Sequence, residues 1–400
     1  MIIFVRVFTA LMVLYTLFFY IRVKTCISLI KKHKNNKEKL INCNKKMIIA
    51  IPALREQKCI EETIKYFRQI TPDIPIIIVT TQKEVRENIK NDVLTQDIVR
   101  NNILPNYDNI YLIDYPYTEG YMADQLNYMI ENIKEKIDIE NTYLILYNAD
   151  SRPSKNTFNE IKHKINEGYK VIQQYSYCMK NYDELSGILK GFSIYQSNFE
   201  LKTGLINTLL NSKLLYTHVV GHGLIIDMKT LNELGNFNTK FWCEDIYLGL
   251  QLKFNNIKIT PLLELENVET PNTLSNLIKQ NSVWFKTTSQ FWQIYKDIVK
   301  NYKVKSKFNG LIGCLNEFRC AINWLGFPII LFTSIFITLI LKDYIALIGI
   351  ILGYLFYISV NTIMTIKVIN ILDDKNYKVN IKTIFNVAIA TAIYNQIKLI

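Results

Sequence analysis

Two short polar side chains follow an apolar run in the first half of the chain. The run Tyr143-Leu144-Ile145-Leu146-Tyr147 is typical of a buried strand, and Asn148-Ala149-Asp150 comes directly after it. Residues spaced i, i+2 on an extended chain point to the same side. A carboxylate at this position can hold a divalent cation that also bridges a diphosphate. The same pattern is also typical of an Asx turn that closes a strand, so both interpretations stay open.

A pair of adjacent acids lies about one hundred residues after this motif. Glu244-Asp245 follows Phe241-Trp242-Cys243 and opens an amphipathic helical pattern. One of these carboxylates could deprotonate an attacking hydroxyl as a positioned general base. Acids at a helix start are also ordinary capping residues, and the pattern alone does not separate the two roles.

Three further segments carry residues that could contact a ligand. Pro52, Arg55 and Glu56 form the turn after the first apolar run, where the acid could equally complement a helix dipole. His222 and Gly223 belong to a Gly-His-Gly segment that could approach a sugar closely, although a single histidine is more often structural. Gln280 and Trp284 precede the C-terminal apolar region, where a tryptophan could stack on a sugar or anchor at a membrane interface.

The elements that must position these residues alternate between strand and helix patterns. Strand patterns cover residues 47–51, 74–80, 110–114, 143–147 and 170–174, and helical periodicity covers 56–70, 84–100 and 121–137. This alternation predicts an α/β fold with a mainly parallel sheet covered on both faces. Ligands bind such sheets at the carboxyl ends of the strands, which is where the motifs fall.

Apolar segments flank this domain and predict a membrane-anchored protein. We predict an N-terminal transmembrane anchor (1–22), a basic membrane-proximal linker (23–45), a catalytic domain (46–300), an amphipathic interfacial segment (301–320), a transmembrane hairpin (321–366), and a short loop with a weak third membrane or interfacial helix (367–400). Positive charge beside a spanning helix tends to stay cytoplasmic, so we expect a multi-pass protein of the cell membrane with a cytoplasmic catalytic domain.

Composition excludes several other classes. The formal net charge of +12 lies largely next to apolar segments, which favours a membrane surface over nucleic acid as its partner. The seven cysteines are scattered and contain no CxxC pair, so we expect neither a disulfide framework nor a zinc site. No GxGxxG segment follows a strand, which argues against a dehydrogenase.

In chain order, the four segments at Pro52–Glu56, Asn148–Asp150, Glu244-Asp245 and Gln280–Trp284 resemble the motifs of the family 2 glycosyltransferases with the GT-A fold, over about residues 46–300. The membrane layout resembles that of hyaluronan synthase, cellulose synthase and ceramide glucosyltransferase. The Pro-x-x-Asn-Glu turn of that family is matched by Pro52 to Glu56, its Asp-x-Asp motif by Asn148 to Asp150, its Glu-Asp motif by Glu244-Asp245, and its Gln-x-x-Arg-Trp motif by Gln280 to Trp284.

The resemblance implies an inverting transfer from a nucleotide-sugar donor to a lipid or polysaccharide acceptor. Its implied roles are base for Asp245 with support from Glu244, Mg²⁺ or Mn²⁺ ligand for Asp150, donor contacts for Pro52, Arg55, Glu56 and Asn148, and acceptor contacts for His222, Gly223, Gln280 and Trp284. A homo-oligomer or export partner would fit the small number of spans.

Several residues depart from the family pattern. Asn148 replaces an acid, Thr80-Thr81 replaces paired acids, and Asn281 and Val283 stand where arginines are usual. Lys279 and Lys286 are the candidates for the missing positive charge. The alternatives are therefore a catalytically inactive membrane-anchored scaffold or binding protein, and a nucleotidyl or phosphate transferase that uses the same acids.

Overall fold

A mainly parallel β-sheet forms the centre of the domain between the apolar segments. The computed structural model describes residues 1–35, 42–87, 92–211 and 218–394. The strands in these ranges are β1 Lys46–Pro52, β2 Ile76–Thr81, β3 Ile110–Tyr115, β4 Thr142–Leu146, β5 Val171–Gln173, β6 Ser176–Tyr177, β7 Leu224–Asp227, β8 Ile259–Pro261 and β9 Glu266–Asn267. Seven of them form one sheet in the order β3-β2-β1-β4-β7-β5-β8, and β6 pairs with β9. The predicted α/β class with a mainly parallel sheet is confirmed.

Helices cover both faces of this sheet, and further helices precede β1 and follow β9 in the chain. Their bounds in the described ranges are α1 Ile2–Asn35, α2 Ile60–Ile70, α3 Gln82–Glu87, α4 Thr95–Ile98, α5 Met122–Ile133, α6 Thr157–Asn166, α7 Gly187–Glu200, α8 Ile206–Leu209, α9 Met228–Glu233, α10 Glu244–Phe254, α11 Leu274–Ser289, α12 Phe291–Asn301, α13 Lys307–Ile340, α14 Tyr344–Leu372 and α15 Ile381–Tyr394.

Alternate residues of β1 show how the sheet is buried on both sides. Ile49 and Ile51 pack in one apolar core with residues of α2 and α6. Ile48 and Ala50 pack in a second core with residues of α5, α9 and α10. Since successive side chains of a strand point to opposite faces, a strand buried on both faces has no polar alternation. This explains the uninterrupted apolar run in the sequence.

The helix predicted at 84–100 differs from the observed structure. The structure has α3 and α4 here, with a π-helical turn from Val99 to Ile103, while residues 88–91 lie outside the described ranges. Oε1 of the buried Glu84 accepts from the backbone N–H of Thr95 at 2.8 Å. This tertiary contact draws the start of α4 against α3 and replaces one continuous helix.

The first apolar helix is longer than the predicted anchor. It continues past residue 22 to Asn35, so residues 23–35 of the predicted linker are helical, and residues 36–41 lie outside the described ranges. Val23, Cys26, Ile27 and Ile30 are buried. Their spacing of three and four residues continues one apolar helix face, which packs on the rest of the protein.

The C-terminal region contains two more long apolar helices. In the described ranges, α1, α13 and α14 are long and apolar enough to cross a membrane. The predicted interfacial segment and first hairpin span form one helix, α13, and α14 continues past the predicted end at residue 366. The last helix, α15, is shorter, and residues 395–400 lie outside the described ranges.

Ion pairs mark the two ends of this helical group. Arg6 near the start of α1 pairs with Asp343 between α13 and α14 at 3.1 Å. Lys34 near the end of α1 pairs with Asp374 after α14 at 3.0 Å. Between Arg6 and Arg22, α1 rises about 24 Å without a charge, which approaches the thickness of a hydrocarbon core of about 30 Å.

Candidate active site

Four segments meet at the carboxyl edge of the parallel strands. Because β7 runs antiparallel to β4, its start lies beside the end of β4, and Leu224 pairs with Leu146 in the register. The N–H of Gly223 donates to the carbonyl of Leu146 at 2.7 Å. The turn after β1, the turn after β4, the loop before β7 and the start of α10 therefore surround one cleft.

The Gly-His-Gly loop is held in place by the strand beside it. The Gln173 side chain donates to the carbonyl of His222 at 2.8 Å and accepts from the N–H of Val220 at 2.9 Å. Gly223 has a φ of 63°, and a Cβ atom there would lie 2.7 Å from the carbonyl oxygen of Gln174. Only glycine fits this position without strain. Both backbone polar groups of Gly223 pair with neighbouring strands, so it shapes the loop that presents His222.

His222 lies between carboxylates that come from distant parts of the chain. Its Nδ1 is 3.4 Å from Oε2 of Glu266, a residue only 1% exposed. Burial alone would lower the pKa of His222, but the facing carboxylates of Glu266, Glu200 and Asp150 raise it above its ordinary value. The charge of His222 in turn opposes the rise in the pKa of Asp245. Asp150 and Asp245 are therefore both within electrostatic reach of one histidine.

The acid pair at the start of α10 has unequal environments. Burial raises the pKa of Glu244 to about 8, with a further contribution from the charge of Asp245. Burial also raises the pKa of Asp245, but its oxygens accept backbone N–H bonds from Gly221 at 3.0 Å and from Ile246 at 2.7 Å. These bonds favour the ionised form of Asp245. The pKa of both acids is therefore raised, and the backbone N–H groups and the charge of His222 oppose the rise at Asp245.

The turn after β4 exposes its carboxylate. The hydroxyl of Ser151 accepts from the N–H of Asn148 at 3.1 Å, so serine rather than Asp150 closes the turn. The Asp150 side chain is exposed. In the described ranges, no group of three or more His, Cys, Asp or Glu side chains could hold a metal ion by itself. A single exposed carboxylate fits a Mg²⁺ or Mn²⁺ ion that takes its other ligands from water and substrate phosphates.

The turn after β1 is organised by an acid that no motif indicated. Oε2 of Glu84 accepts from the N–H of Arg55 at 3.2 Å, and its Oε1 accepts from the side chain of Gln57 at 2.8 Å. Arg55 has a φ of 62°, and its guanidinium pairs with Glu87 at 3.4 Å. Burial raises the pKa of Glu56, and the nearby charge of Asp150 adds to this rise, so the predicted donor residues of the two turns face each other.

Aromatic and basic side chains form a row along the acid pair. Trp242, two residues before Glu244, lies 5.1 Å from Tyr121 between ring centres. Lys286 Nζ lies 4.9 Å from the centre of the Trp242 ring. At the other end of the row, Lys83 Nζ lies 5.2 Å from the centre of the Tyr121 ring. Of the two lysines considered for the missing arginine charge, Lys286 is the one that lies over Trp242, two residues before the acid pair.

The predicted acceptor residues on α11 lie at the surface beside this row. Gln280 is exposed and accepts from the side chain of Gln196 on α7 at 3.4 Å. Trp284 is 39% exposed. Their helix also carries Lys286, which connects it to Trp242 and the acid pair. Their contact with an acceptor remains a prediction.

Three acids of the cleft were missed by sequence reasoning. Glu84, Glu200 and Glu266 stand outside the motifs, on separate elements. Burial raises the pKa of Glu200 to about 7; the charge of His222 opposes this rise, and that of Asp245 adds to it. Oε2 of Glu200 lies 3.9 Å from Nε2 of His218. No local pattern marks these residues, because only the fold places them around His222 and the turn after β1.

Comparisons with known proteins agree with this architecture. No protein-family model and no curated protein matches the sequence. Among solved structures, the chain is similar to the mannosyltransferase PcManGT from Pyrobaculum calidifontis, determined with GDP-Man and Mn²⁺, with a TM-score of 0.54 and 13% identity over 94% of this chain and 99% of that chain. It is also similar to glucosyl-3-phosphoglycerate synthase from Mycobacterium tuberculosis, determined with Mn²⁺, UDP and phosphoglyceric acid, with a TM-score of 0.38 and 13% identity over 62% of this chain and 78% of that chain. The first likeness confirms the predicted GT-A-type fold with flanking apolar helices.

Proposed function

We propose that this chain is an inverting glycosyltransferase of the family 2 type. It moves a sugar from a nucleotide-sugar donor to a lipid or polysaccharide acceptor at the cytoplasmic face of the cell membrane. The observation that carries the proposal is the convergence of Asp150 and Asp245 on His222 from two distant loops. One exposed carboxylate and one partly buried carboxylate that accepts two backbone N–H bonds suit a reaction that needs a cation and a base.

The donor is bound where the turns after β1 and β4 face each other. Asp150 is the protein ligand of a Mg²⁺ or Mn²⁺ ion, which would neutralise charge on the leaving diphosphate. Asn148 offers an amide oxygen beside it. Pro52, Arg55 and Glu56 line the opposite turn, whose shape depends on Glu84. PcManGT binds GDP-Man and Mn²⁺ in its solved structure, which supports a nucleotide-sugar with a cation as the ligand of this fold.

The chemical step is a single displacement at the anomeric carbon. The acceptor hydroxyl oxygen forms a bond to that carbon while the bond from carbon to the diphosphate oxygen breaks. The hydroxyl proton passes to Asp245, and the nucleoside diphosphate leaves with the bonding electron pair. Glu244, protonated at neutral pH, keeps a second negative charge away from Asp245. Attack from the face opposite the leaving group inverts the anomeric centre.

The acceptor side is formed by His222, Gly223, Gln280 and Trp284. Gly223 positions the loop that presents His222, while α11 carries the other two residues beside Trp242. The three long apolar helices keep this side at the membrane, as a lipid or an emerging glycan requires. Basic residues at the end of α1 support a cytoplasmic orientation, and a homo-oligomer or an export partner would complete a path for a long product.

The proposal is tested with purified full-length protein in detergent and a panel of nucleotide-sugars. Release of free nucleoside diphosphate is measured with and without Mg²⁺ or Mn²⁺. We expect release with at least one donor, dependent on the cation and lost by a factor of about 10² or more in Asp245→Asn. Asp138→Asn, which changes an exposed acid at the opposite sheet edge, is the matched control and keeps full activity.

Each alternative has its own result. Pyrophosphate in place of the nucleoside diphosphate identifies a nucleotidyl transferase. No turnover of any donor, with or without cation, in a folded protein identifies an inactive scaffold. Near-normal turnover of Asp245→Asn removes this residue from the role of base.

A further inference from the structure

A groove of about 380 Å³ runs along the apolar helices on the membrane side of α7. On α1 its lining extends from Phe8 to Arg22, a rise of about 21 Å. The opposite walls come from α7, α13 and α14, and they include Phe199, Trp324 and Tyr357. A volume of this size and an aromatic lining are typical of a site for an apolar ligand, and the length fits a chain that lies along the helices.

Three cations line this groove. They are Arg22, Lys202 and Arg319, and no acidic side chain is among the described residues of the lining, although the buried Glu317 acts on Cys320, which belongs to it. Lys202 Nζ lies 4.6 Å from the ring centre of Tyr15 and 5.3 Å from that of Phe19. Aromatic faces stabilise an ammonium group in partly buried surroundings without neutralising its charge.

The remaining two cations are held by neutral partners. The guanidinium of Arg22 donates to the side-chain oxygen of Asn207 at 2.7 Å, and that of Arg319 donates to Asn316 at 3.3 Å. These contacts orient the guanidinium groups but add no negative charge. The groove therefore combines an aromatic lining with the cations Arg22, Lys202 and Arg319, and this combination is complementary to a lipid with an anionic headgroup.

The same helical segment links the groove to the active-site acids. Glu200, at the end of α7, interacts with His222 and Asp245, while Phe199 and Lys202 beside it line the groove. The Phe199 ring stacks on Trp324 with 5.1 Å between ring centres. Trp324 in turn approaches Phe285 of α11, with 6.4 Å between ring centres. The part of the groove at Phe199 and Trp324 is thus adjacent to α11, which carries the predicted acceptor residues Gln280 and Trp284.

We propose that this groove binds a lipid with a phosphate-bearing headgroup, with its apolar chain along α1 and its phosphate between Arg22, Lys202 and Arg319. This inference deepens the proposed function, on which its role as acceptor site rests. Binding itself is a property of the groove and does not require a sugar donor. The membrane acceptor is accordingly a phospholipid-type molecule rather than a neutral glycolipid.

The test uses full-length protein in detergent and a phosphatidic acid that carries a photoreactive group in its acyl chain. We expect crosslinks within residues 8–19 of α1 and residues 320–327 of α13. Lys202→Met and Arg319→Gln lower the crosslinking yield by about tenfold or more, because each removes a charged hydrogen-bond donor to phosphate. Lys229→Met, at an exposed position on α9, is the control and leaves the yield unchanged.

Competition experiments distinguish a lipid phosphate from free phosphate. Unlabelled phosphatidic acid suppresses the crosslinks, whereas inorganic phosphate and diacylglycerol at the same concentration do not. Equal suppression by diacylglycerol, crosslinks confined to other helices, or wild-type yield in both groove variants overturns the proposal. A crosslink between two protein copies through the groove, with no lipid captured, would make it a dimer contact instead.

Donor turnover keeps the two proposals distinguishable. The wild-type protein and the control Lys229→Met, in detergent without added lipid, should both release nucleoside diphosphate by cation-dependent hydrolysis of the donor. Loss of lipid capture in Lys202→Met and Arg319→Gln supports the groove, whatever the rate of donor hydrolysis in these two variants. Lipid capture by a protein without any donor turnover contradicts the proposed function and leaves the groove intact as a binding site.

Discussion

Gly221 donates its backbone N–H to Oδ2 of Asp245 at 3.0 Å and so joins the loop before β7 to the start of α10. The neighbouring residue of that loop, His222, lies near enough to Asp150 for this carboxylate to contribute to the raised pKa of the histidine. One short loop thereby sets the relative positions of the two carboxylates that the proposed reaction needs. The predictions below test the charges and the backbone geometry of this arrangement.

The first prediction concerns the pH dependence of turnover. Asp245 must be ionised to act as a base, so activity falls as the pH drops through its raised pKa. His222 opposes that rise, and His222→Gln should therefore move the acid limb of the kcat profile to higher pH, by up to about one unit. His163→Gln, on the surface of α6, is the control. An unchanged limb in His222→Gln would contradict the electrostatic link.

Glu244 should make the folded protein less stable as the pH rises. In the folded state it keeps its proton up to a pKa of about 8, whereas the unfolded chain releases it near the ordinary value. The folded state then binds more protons than the unfolded state, so stability is lost between those two pKa values. Glu244→Gln removes this loss, and its Tm should exceed that of the wild type increasingly toward alkaline pH. Glu233→Gln, an exposed control, should follow the wild type.

The backbone at Gly223 should tolerate no side chain. Its positive φ and the 2.7 Å approach of a Cβ atom to Gln174 act together. Gly223→Ala should lower the free energy of unfolding by about 2 kcal/mol or more. Gly168→Ala is the matched control, because Gly168 has a φ of 82° with open space around it, and it should cost about 1 kcal/mol. Equal losses in denaturant titrations would show that the close approach is unimportant.

The metal requirement should respond to the residue at position 148. With Asp150 as the single carboxylate of the turn, the cation depends on the donor phosphates for much of its binding. Asn148→Asp adds a second carboxylate two residues before the first and should lower the Mn²⁺ concentration for half-maximal activity by about tenfold. Asp150→Asn should raise it. Opposite or absent shifts in cation titrations would place the cation elsewhere.

The row formed by Lys83, Tyr121, Trp242 and Lys286 should contribute positive charge to the donor site. Lys286→Met removes the ammonium group over Trp242 and should lower kcat/KM for the donor by about tenfold, since charged hydrogen bonds to phosphate contribute about 1.5–3 kcal/mol. Lys279→Met, two turns earlier on the same helix and also exposed, is the paired variant and should keep wild-type kinetics. A larger effect at Lys279 would reverse the assignment of this charge.

Local patterns in the sequence account for a large part of the fold. The apolar runs that end at Pro52 and Leu146 are β1 and β4, and their carboxyl ends carry the predicted motifs. A strand buried on both faces needs a continuous apolar run, so this element can be read from residues adjacent in sequence. The long apolar helices are predicted for the same reason, although α1 continues beyond the predicted end at residue 22 to Asn35, with one face packed on protein.

The composition of the site depends on contacts between residues far apart in the chain. Glu266 faces His222 because β7 enters the sheet antiparallel between β4 and β5 and places its preceding loop at the carboxyl edge. Glu84 shapes the turn at Arg55 through hydrogen bonds across 29 residues. The residue order alone determined the apolar strands and the motifs that end them, because periodicity and turn chemistry are local. The helix predicted at 84–100 is instead divided into α3 and α4, where Glu84 accepts from Thr95. Only the tertiary structure decided which acids surround His222 and that the pKa of Glu244 and of Asp245 is raised, because burial and hydrogen bonding arise when distant segments pack together.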